Sequence, residues 1–280
     1  MELCLGTVQF GLPYGIGGRD TPVAPAEVRA ILALAQSGGI YSLDTAAAYG
    51  DIEERLRFLC TGLDFKVVSK IPSIPSDIPL LQRTAWVASK IEKSIDNLGE
   101  RLSGLMFHQP KDLLGPDAAL LWSTAAGLAK QKFALGVSCY TTSELDEISK
   151  RFAVEIAQVP GNALDQQLST YRTAATVWLR SAFLQGALLM NCEVAVQKLP
   201  QASPWLHAWH RWCNENGYSP LKAALGIVKA MAGVDYCVVG VDSASQLEEI
   251  LVAWEEAPVL QAPNLACNLA QVTDPRLWKK

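Results

Sequence analysis

No apolar run in this 280-residue chain approaches the ~20 residues needed to cross a bilayer; the longest, such as AILALA and GLMF, stop after a few positions. The opening Met1-Glu2-Leu3-Cys4 also lacks the build of a secretory leader, so no membrane partner is expected and a cytoplasmic location is. Basic excess is missing too. With 24 Lys+Arg against 28 Asp+Glu, a formal net charge of −4, the chain offers no footprint for neutralising phosphate backbones, and no nucleic-acid partner is expected. Seven cysteines (Cys4, Cys60, Cys139, Cys192, Cys213, Cys237, Cys267) are an odd number, widely spaced, without a CxxC pair. That argues against a disulfide framework or a zinc ribbon and for reduced core thiols. Glycine and proline are scattered rather than clustered, which excludes a disordered or collagen-like chain.

What remains is a folded protein with a marked rhythm. Eight short apolar runs, LCLGTVQF, YSLDTA, FKVVSK, LSGLMFH, FALGVSCY, VEIAQVP, ATVWLRSAF and DYCVVGV, alternate with stretches of helical period. Helices are predicted from Pro25 to Ser37 before Gly38-Gly39, near 51–59, near 80–98 before Gly99, over TSELDEISKRF, and through the region from Trp205 to Met231. The region after Asn162 is less regular. Near-continuous apolar strands separated by helices imply a parallel sheet covered on both faces. Eight repeats in this length point to one domain over 1–280, a (β/α)8 TIM barrel, with a doubly wound sheet as the alternative. The proline-rich IPSIPSDIP at 71–79 follows a strand and reads as a loop, because too little chain precedes it for a separate core.

In a barrel of this kind the chemistry sits where strands end. Asp44 closes YSLD, Lys70 closes VVSK and His108 closes LMFH, with Tyr49 following Asp44 in TAAAYG. Each has a plain structural reading: Asp44 as a loop cap, Lys70 as a snorkelling side chain, His108 as a hydrogen-bonded core residue. Taken together they make a site. A buried carboxylate and ammonium on neighbouring strands are costly apart, so Asp44 and Lys70 are expected to pair. A phenol near that ammonium is expected to have its pKa lowered, making Tyr49 a general acid.

At these same residues the chain resembles a known family. GTVQFGLPYG, SLDTAAAYGDIEERL, VVSKI, LMFHQP, GVSCY, AQVPGNALDQQL, RSAFLQGALL and VVGVDSASQLEEIL look like the aldo-keto reductases from end to end. The resemblance implies a (β/α)8 barrel that binds a nicotinamide dinucleotide, NADP(H) or NAD(H), without a Rossmann domain. In keeping with this, no strand is followed by GxGxxG. It also implies a small-molecule carbonyl or alcohol substrate and a tetrad in which Tyr49 gives the proton. Lys70 would assist Tyr49, Asp44 would hold Lys70, and His108 would orient the carbonyl. Ser138 and Gln158 match positions that bond the nicotinamide carboxamide; Gly240, Ser243, Ser245 and Gln246 fall in the phosphate-binding loop before the last helix.

Three residues depart from the family pattern. Cys139 stands where many members carry Asn, Arg180 where many carry an aromatic residue that stacks on the nicotinamide, and Asp242 where a basic residue is frequent. Since a planar guanidinium also stacks, Arg180 keeps a place among the cofactor contacts. Asp242 would repel a 2′-phosphate and accept from a free 2′-hydroxyl, so NADH is expected to be used comparably to NADPH. His207 and His210 lie three apart, but with no third ligand of suitable spacing no metal is assigned. Trp205, Trp209 and Trp212 recur at helical spacing and read as packing, with one of them a candidate for the substrate pocket. Glu53-Glu54 beside Arg55 and Arg57 reads as a solvated helix face. The rival functions are a Schiff-base aldolase using Lys70, a glycosidase using two carboxylates, and a cofactor-binding regulatory subunit with little turnover.

Overall fold

The computed structural model describes residues 1–130 and 132–278. Eight strands, β1 (Glu2–Gly6), β2 (Ser42–Asp44), β3 (Lys66–Ile71), β4 (Leu102–Phe107), β5 (Ala134–Ser138), β6 (Ile156–Pro160), β7 (Thr176–Arg180) and β8 (Tyr236–Gly240), pair in sequence order, all parallel. The sheet closes when β8 pairs with β1 in the register Leu5↔Val239 and Gly6↔Gly240. This is the (β/α)8 barrel, not the open doubly wound sheet. The helices are α1 (Val8–Gly11), α2 (Pro25–Ser37), α3 (Ile52–Leu59), α4 (Arg83–Leu98), α5 (Ala118–Ala129), α6 (Thr142–Ser149), α7 (Cys192–Lys198), α8 (Ser203–Glu215), α9 (Pro220–Lys229), α10 (Ala244–Glu256) and α11 (Ala270–Thr273). Among the described residues none is long and apolar enough to cross a membrane.

Two predicted elements divide. The run LCLGTVQF does not stay extended: β1 ends at Gly6, and the Thr7 N–H and hydroxyl both turn to the Asp44 carbonyl, at 2.9 and 3.1 Å, so that Val8 opens a short helix. The helical region from Trp205 to Met231 breaks at Gly217, whose φ of +72° few other residues tolerate. Ser219 then accepts from the Lys222 N–H as an N-cap, with Pro220 at the first turn of α9. Helices α5 and α7 were not anticipated. In α5 (AALLWSTAAGLA) alanines on every side blur the apolar stripe, although Ala118, Leu121, Ala125 and Ala129 are its buried face.

Strand alternation sorts the core into two layers. Leu5, Leu43, Val67, Leu105, Val137, Val159, Leu179 and Val239 join the large cluster shared with the helices. Cys4, Val68, Met106, Ile156 and Trp178 form a second, smaller cluster inside the barrel, with Ala134, Tyr236 and Val238 against it. Further along the strands the same inward phase reaches Gly6, Asp44, Lys70, His108, Ser138, Gln158, Arg180 and Gly240. A plug of apolar side chains thus closes the barrel's interior, and a polar layer sits directly above it at the C-terminal ends.

Candidate active site

Lys70 is the most deeply buried member of that polar layer, with 0% of its side chain exposed. Its Nζ donates to Asp44 Oδ1 at 2.7 Å and to the Thr45 carbonyl at 2.9 Å. The same Asp44 oxygen accepts from Gln158 Nε2 at 2.7 Å across the barrel. Burial on its own would discharge the lysine. The opposing charge of Asp44 and the neighbouring Tyr49 more than offset it, and the Lys70 pKa lies above the ordinary value. The ammonium in turn stands 5.3 Å from the centroid of the Tyr49 ring.

Tyr49 rides on the loop between β2 and α3, with its backbone pinned by close packing. A side chain at Gly11 would place a Cβ 1.9 Å from the Tyr49 carbonyl oxygen, so α1 lies against this loop only because residue 11 is glycine. The Tyr49 phenol corrects an expectation. Its pKa is raised, not lowered, because burial outweighs the pull of Lys70 towards phenolate. His108 stands edge-on to Tyr49, ring centroids 6.0 Å apart at 81°. Burial, with the charges of Lys70 and Arg180 adding to it, drives the His108 pKa down to about 3, so the imidazole is neutral and donates or accepts hydrogen bonds without carrying charge.

A cavity of about 410 Å³ opens at Asp44 and Tyr49, while Lys70 and His108 stand behind its wall. Its wall includes Asp44, Tyr49, Gln158, Arg180, Gly240, Asp242 and Gln246, all anticipated from sequence. Ser138 is buried beside it, in register with Gln158. Ser243 and Ser245 are not part of its wall. Ser243 instead caps α10, accepting from the Gln246 N–H at 3.2 Å, while Gln246 Oε1 accepts from the Asp242 N–H at 2.8 Å. A carboxylate from another element, Glu27 on α2, accepts from the Ala244 N–H at 2.7 Å. Glu27 carries no sequence signal, since its role arises from the packing of α2 on α10.

The pattern of the Aldo/keto reductase family matches residues 2–262, nearly the whole barrel. The chain belongs to this family. As an aldo/keto reductase it is an oxidoreductase, and the family's general chemistry is NAD(P)H-dependent reduction of small-molecule carbonyl compounds. No curated protein matches it significantly in sequence. Among solved structures it is similar to a glycerol dehydrogenase from Gluconobacter oxydans, 19% identical, with a TM-score of 0.69 over 92% of this chain and 87% of that one. It is likewise similar to an aldo-keto reductase from Bacillus halodurans in its holo form, 16% identical, with a TM-score of 0.72 over 99% and 92%. At such identities the likeness is one of fold.

Within this aldo/keto reductase the remaining wall of the cavity was not foreseen. Tyr14, Gly15, Gly17, Gly18, Phe183, Gln185, Leu189, Met190 and Leu221 all contribute. The glycine-rich loop could have signalled close approach: a Cβ at Gly17 would lie 2.0 Å from the Met190 side chain. None of Trp205, Trp209 and Trp212 lines the cavity. Trp209 is buried and donates to the Leu188 carbonyl at 2.8 Å, which steadies the segment bearing Leu189 and Met190.

Glu53 is not on a solvated face. It is 4% exposed and accepts from Ser69, from Ser94 at 3.0 Å and from Asn97 at 3.4 Å, binding α3 to β3 and α4. His207 has a different metal-type neighbourhood from the one considered in the sequence. Cys192 and Glu193, at the start of α7, bring ligand atoms within 4.8 Å of one another and of His207, at the protein surface and without His210.

Proposed function

We propose that this aldo/keto reductase reduces a small aldehyde or ketone to its alcohol, or runs the reverse, with Tyr49 as proton donor. The observation that carries the reading is the buried relay Gln158–Asp44–Lys70 beneath Tyr49, with a neutral His108 at its side. A nicotinamide dinucleotide fits the residues present. Gln9 in the cavity wall has a buried Oε1 with no partner, and it lies so close over Gly240, also in the wall, that a Cβ there would fall 2.6 Å from the Gln9 amide. Gln9, Ser138, Gln158 and the loop from Gly240 to Gln246 would hold the cofactor. A bound reduced nicotinamide supplies hydride to the carbonyl carbon.

The protein's own groups do the rest. Tyr49 is protonated at neutral pH and passes its proton to the carbonyl oxygen as negative charge develops there. Lys70, held as an ammonium by Asp44, stabilises the phenolate that remains. His108 offers a neutral N–H to the same oxygen and turns the carbonyl carbon towards the hydride. The Asp44 partner also argues against an aldolase, because imine formation needs an uncharged Lys70 and this pairing favours the ammonium.

The acidic surroundings of the distal end support NADH use comparable to NADPH. Asp242 and Glu249 line the cavity and Glu27 caps Ala244, with Arg19 the cation acting on Asp242. A 2′-phosphate would enter that field at a cost, while a 2′-hydroxyl can donate to Asp242.

Cofactor oxidation followed against a panel of aldehydes and ketones tests the reading, with Tyr49→Phe as the decisive variant. Turnover should fall by roughly 10²-fold or more while the dissociation constant for reduced cofactor stays nearly constant, since the ring remains and only the proton is lost. Turnover close to wild type in Tyr49→Phe overturns the assignment.

A further inference from the structure

Cys192, Glu193 and His207 meet at the surface where α7 starts beside α8, and none of the three lines the cavity. Their ligand atoms, a thiol sulfur, a carboxylate oxygen and an imidazole nitrogen, all lie within 4.8 Å of one another. Spacing along the chain sets His207 beside His210, but the packing of the two helices brings it a thiol and a carboxylate instead.

The histidine is set for a cation. Its Nδ1 lies 2.8 Å from the Ser203 carbonyl, which accepts but cannot donate, so Nδ1 carries a proton. The Ser203 hydroxyl, 3.3 Å from the same nitrogen, is the weaker contact. When the ring is neutral, Nε2 is therefore a bare lone pair, and it faces Glu193 Oε1 at 3.8 Å. A lone pair and a carboxylate repel each other, so the pose is favourable with a cation between them, either a proton on Nε2 or a metal ion. The bond from Nδ1–H to a backbone carbonyl is also the outer contact that orients metal-binding histidines. Asn191 Oδ1 accepts from the Glu193 N–H at 3.0 Å, which fixes the turn that carries both Cys192 and Glu193.

The donor set decides between ions. Thiolate and imidazole with a carboxylate suit zinc, whereas magnesium and calcium take shells of oxygen. With bonds of about 2.0–2.2 Å to nitrogen and oxygen, one zinc ion spans the 3.8 Å between His207 and Glu193. The Cys192 sulfur reaches its bond length of about 2.3 Å by a shift on the order of 1 Å. Three protein ligands leave the fourth tetrahedral position to water, and the exposure of Glu193 and His207 gives the ion a way in.

We propose that Cys192, Glu193 and His207 form a binding site for a zinc-class divalent cation, independent of cofactor and of the reductase reading. Sulfur binds as thiolate: the Cys192 proton passes to solvent as the bond to the metal forms, and nothing is oxidised or reduced. The ion joins α7 to α8 just beyond Met190, whose side chain closes on Gly17. Since α8 already holds the Leu188 carbonyl through Trp209, the metal is a second tie between that helix and the segment bearing Leu189 and Met190.

The test uses the full chain in a thiol-free reductant, with Zn²⁺ and Co²⁺ as probes. Burial, with Glu193 adding to it, raises the Cys192 pKa, so the titrations are run at about pH 8. Calorimetry should give one equivalent of Zn²⁺ at micromolar or tighter affinity, and Co²⁺ should show the near-ultraviolet charge-transfer band of thiolate ligation. Cys192→Ser should abolish that band. Cys192→Ser and His207→Gln should each weaken Zn²⁺ binding at least about tenfold, while His210→Gln should bind as the wild type does. Zn²⁺ should raise the melting temperature of the wild type and leave that of Cys192→Ser unchanged. Absence of Zn²⁺ binding by the wild type overturns the proposal and leaves His207 and Glu193 as a proton-bridged ion pair. A charge-transfer band that survives in Cys192→Ser overturns it too, because the metal then sits on another cysteine. So does a loss in His210→Gln equal to that in His207→Gln, which places the metal on the histidine pair.

Discussion

His108 shows how one residue's surroundings decide its chemistry. Free histidine would be partly charged near neutrality, but burial and two nearby cations take its pKa from 6.5 down to about 3. Between those values the unfolded chain binds a proton that the folded chain refuses. Stability therefore falls as pH drops from about 6.5 towards 3, by at most about 1.4 kcal/mol per pH unit from this group. Thermal melts across that range should show a shallower acid slope in His108→Gln than in the wild type; identical slopes would refute the assignment. Tyr49 teaches a related lesson. The pairing of Asp44 with Lys70 was legible in the sequence because both charges close apolar runs. The net direction of the Tyr49 pKa was not, because it depends on how much water the loop excludes. Glu53 is a plainer case: beside Glu54, Arg55 and Arg57 it looks like surface, and only the approach of β3 and α4 makes it a buried acceptor.

At the scale of elements, α10 matters most, since its first turn faces the distal end of the cavity. The Ser243 cap was within reach of sequence reasoning, as an apolar helix preceded by Ser-Ala-Ser suggests one. The Glu27 carboxylate on the Ala244 N–H was not, because α2 and α10 are separated by most of the chain and meet only through barrel closure. This contact has a measurable consequence. Glu27→Gln keeps an oxygen able to accept from Ala244 but removes the charge. It should raise affinity for NADPH relative to NADH by about two- to fivefold, the range that helix-terminal charge effects span. Dissociation constants for both reduced cofactors, measured by fluorescence, would show it; an unchanged ratio would mean that Glu27 does not sense the 2′-phosphate. The separation of α8 from α9 was also readable in retrospect, from Gly217, Ser219 and Pro220 in close succession.

For the whole molecule, closure of the barrel sets where bulk is tolerated. Gly136 on β5 faces a neighbouring strand so closely that a Cβ would fall 1.7 Å from the Ile156 carbonyl oxygen, whereas Gly127 on the exposed side of α5 has no neighbour within 4 Å. The same substitution should then act in opposite directions. Gly136→Ala should destabilise by at least about 1–3 kcal/mol through overpacking, and Gly127→Ala should stabilise by up to about 1 kcal/mol through helix propensity. Calorimetry would report a lower melting temperature for the first and a rise of about 2–4 °C for the second. A Gly136→Ala protein as stable as the wild type would show that β5 and β6 can move apart without cost.

The sequence by itself determined the barrel, because eight apolar runs at regular spacing admit few other ways to bury both faces of a parallel sheet. It also determined which residues would share the polar layer, from Asp44 and Lys70 through His108, Ser138 and Gln158 to Arg180 and Gly240. Asp44, Lys70 and His108 are read from the ends of their apolar runs, whereas Ser138, Gln158, Arg180 and Gly240 come from the family resemblance, and strand alternation accounts for their sharing one phase. Tertiary structure decided what periodicity cannot carry. Which partners the charged groups find is one such matter: Glu53 accepts from Ser94, Glu27 from the Ala244 N–H, and Arg180 donates to the Cys139 carbonyl. Which loops close over the cavity is another, as with Tyr14 and Met190. The physical reason is common to both. A side chain's pKa and hydrogen bonds depend on neighbours brought from distant parts of the chain, and those neighbours are set by how helices pack around the closed sheet rather than by any spacing along the sequence.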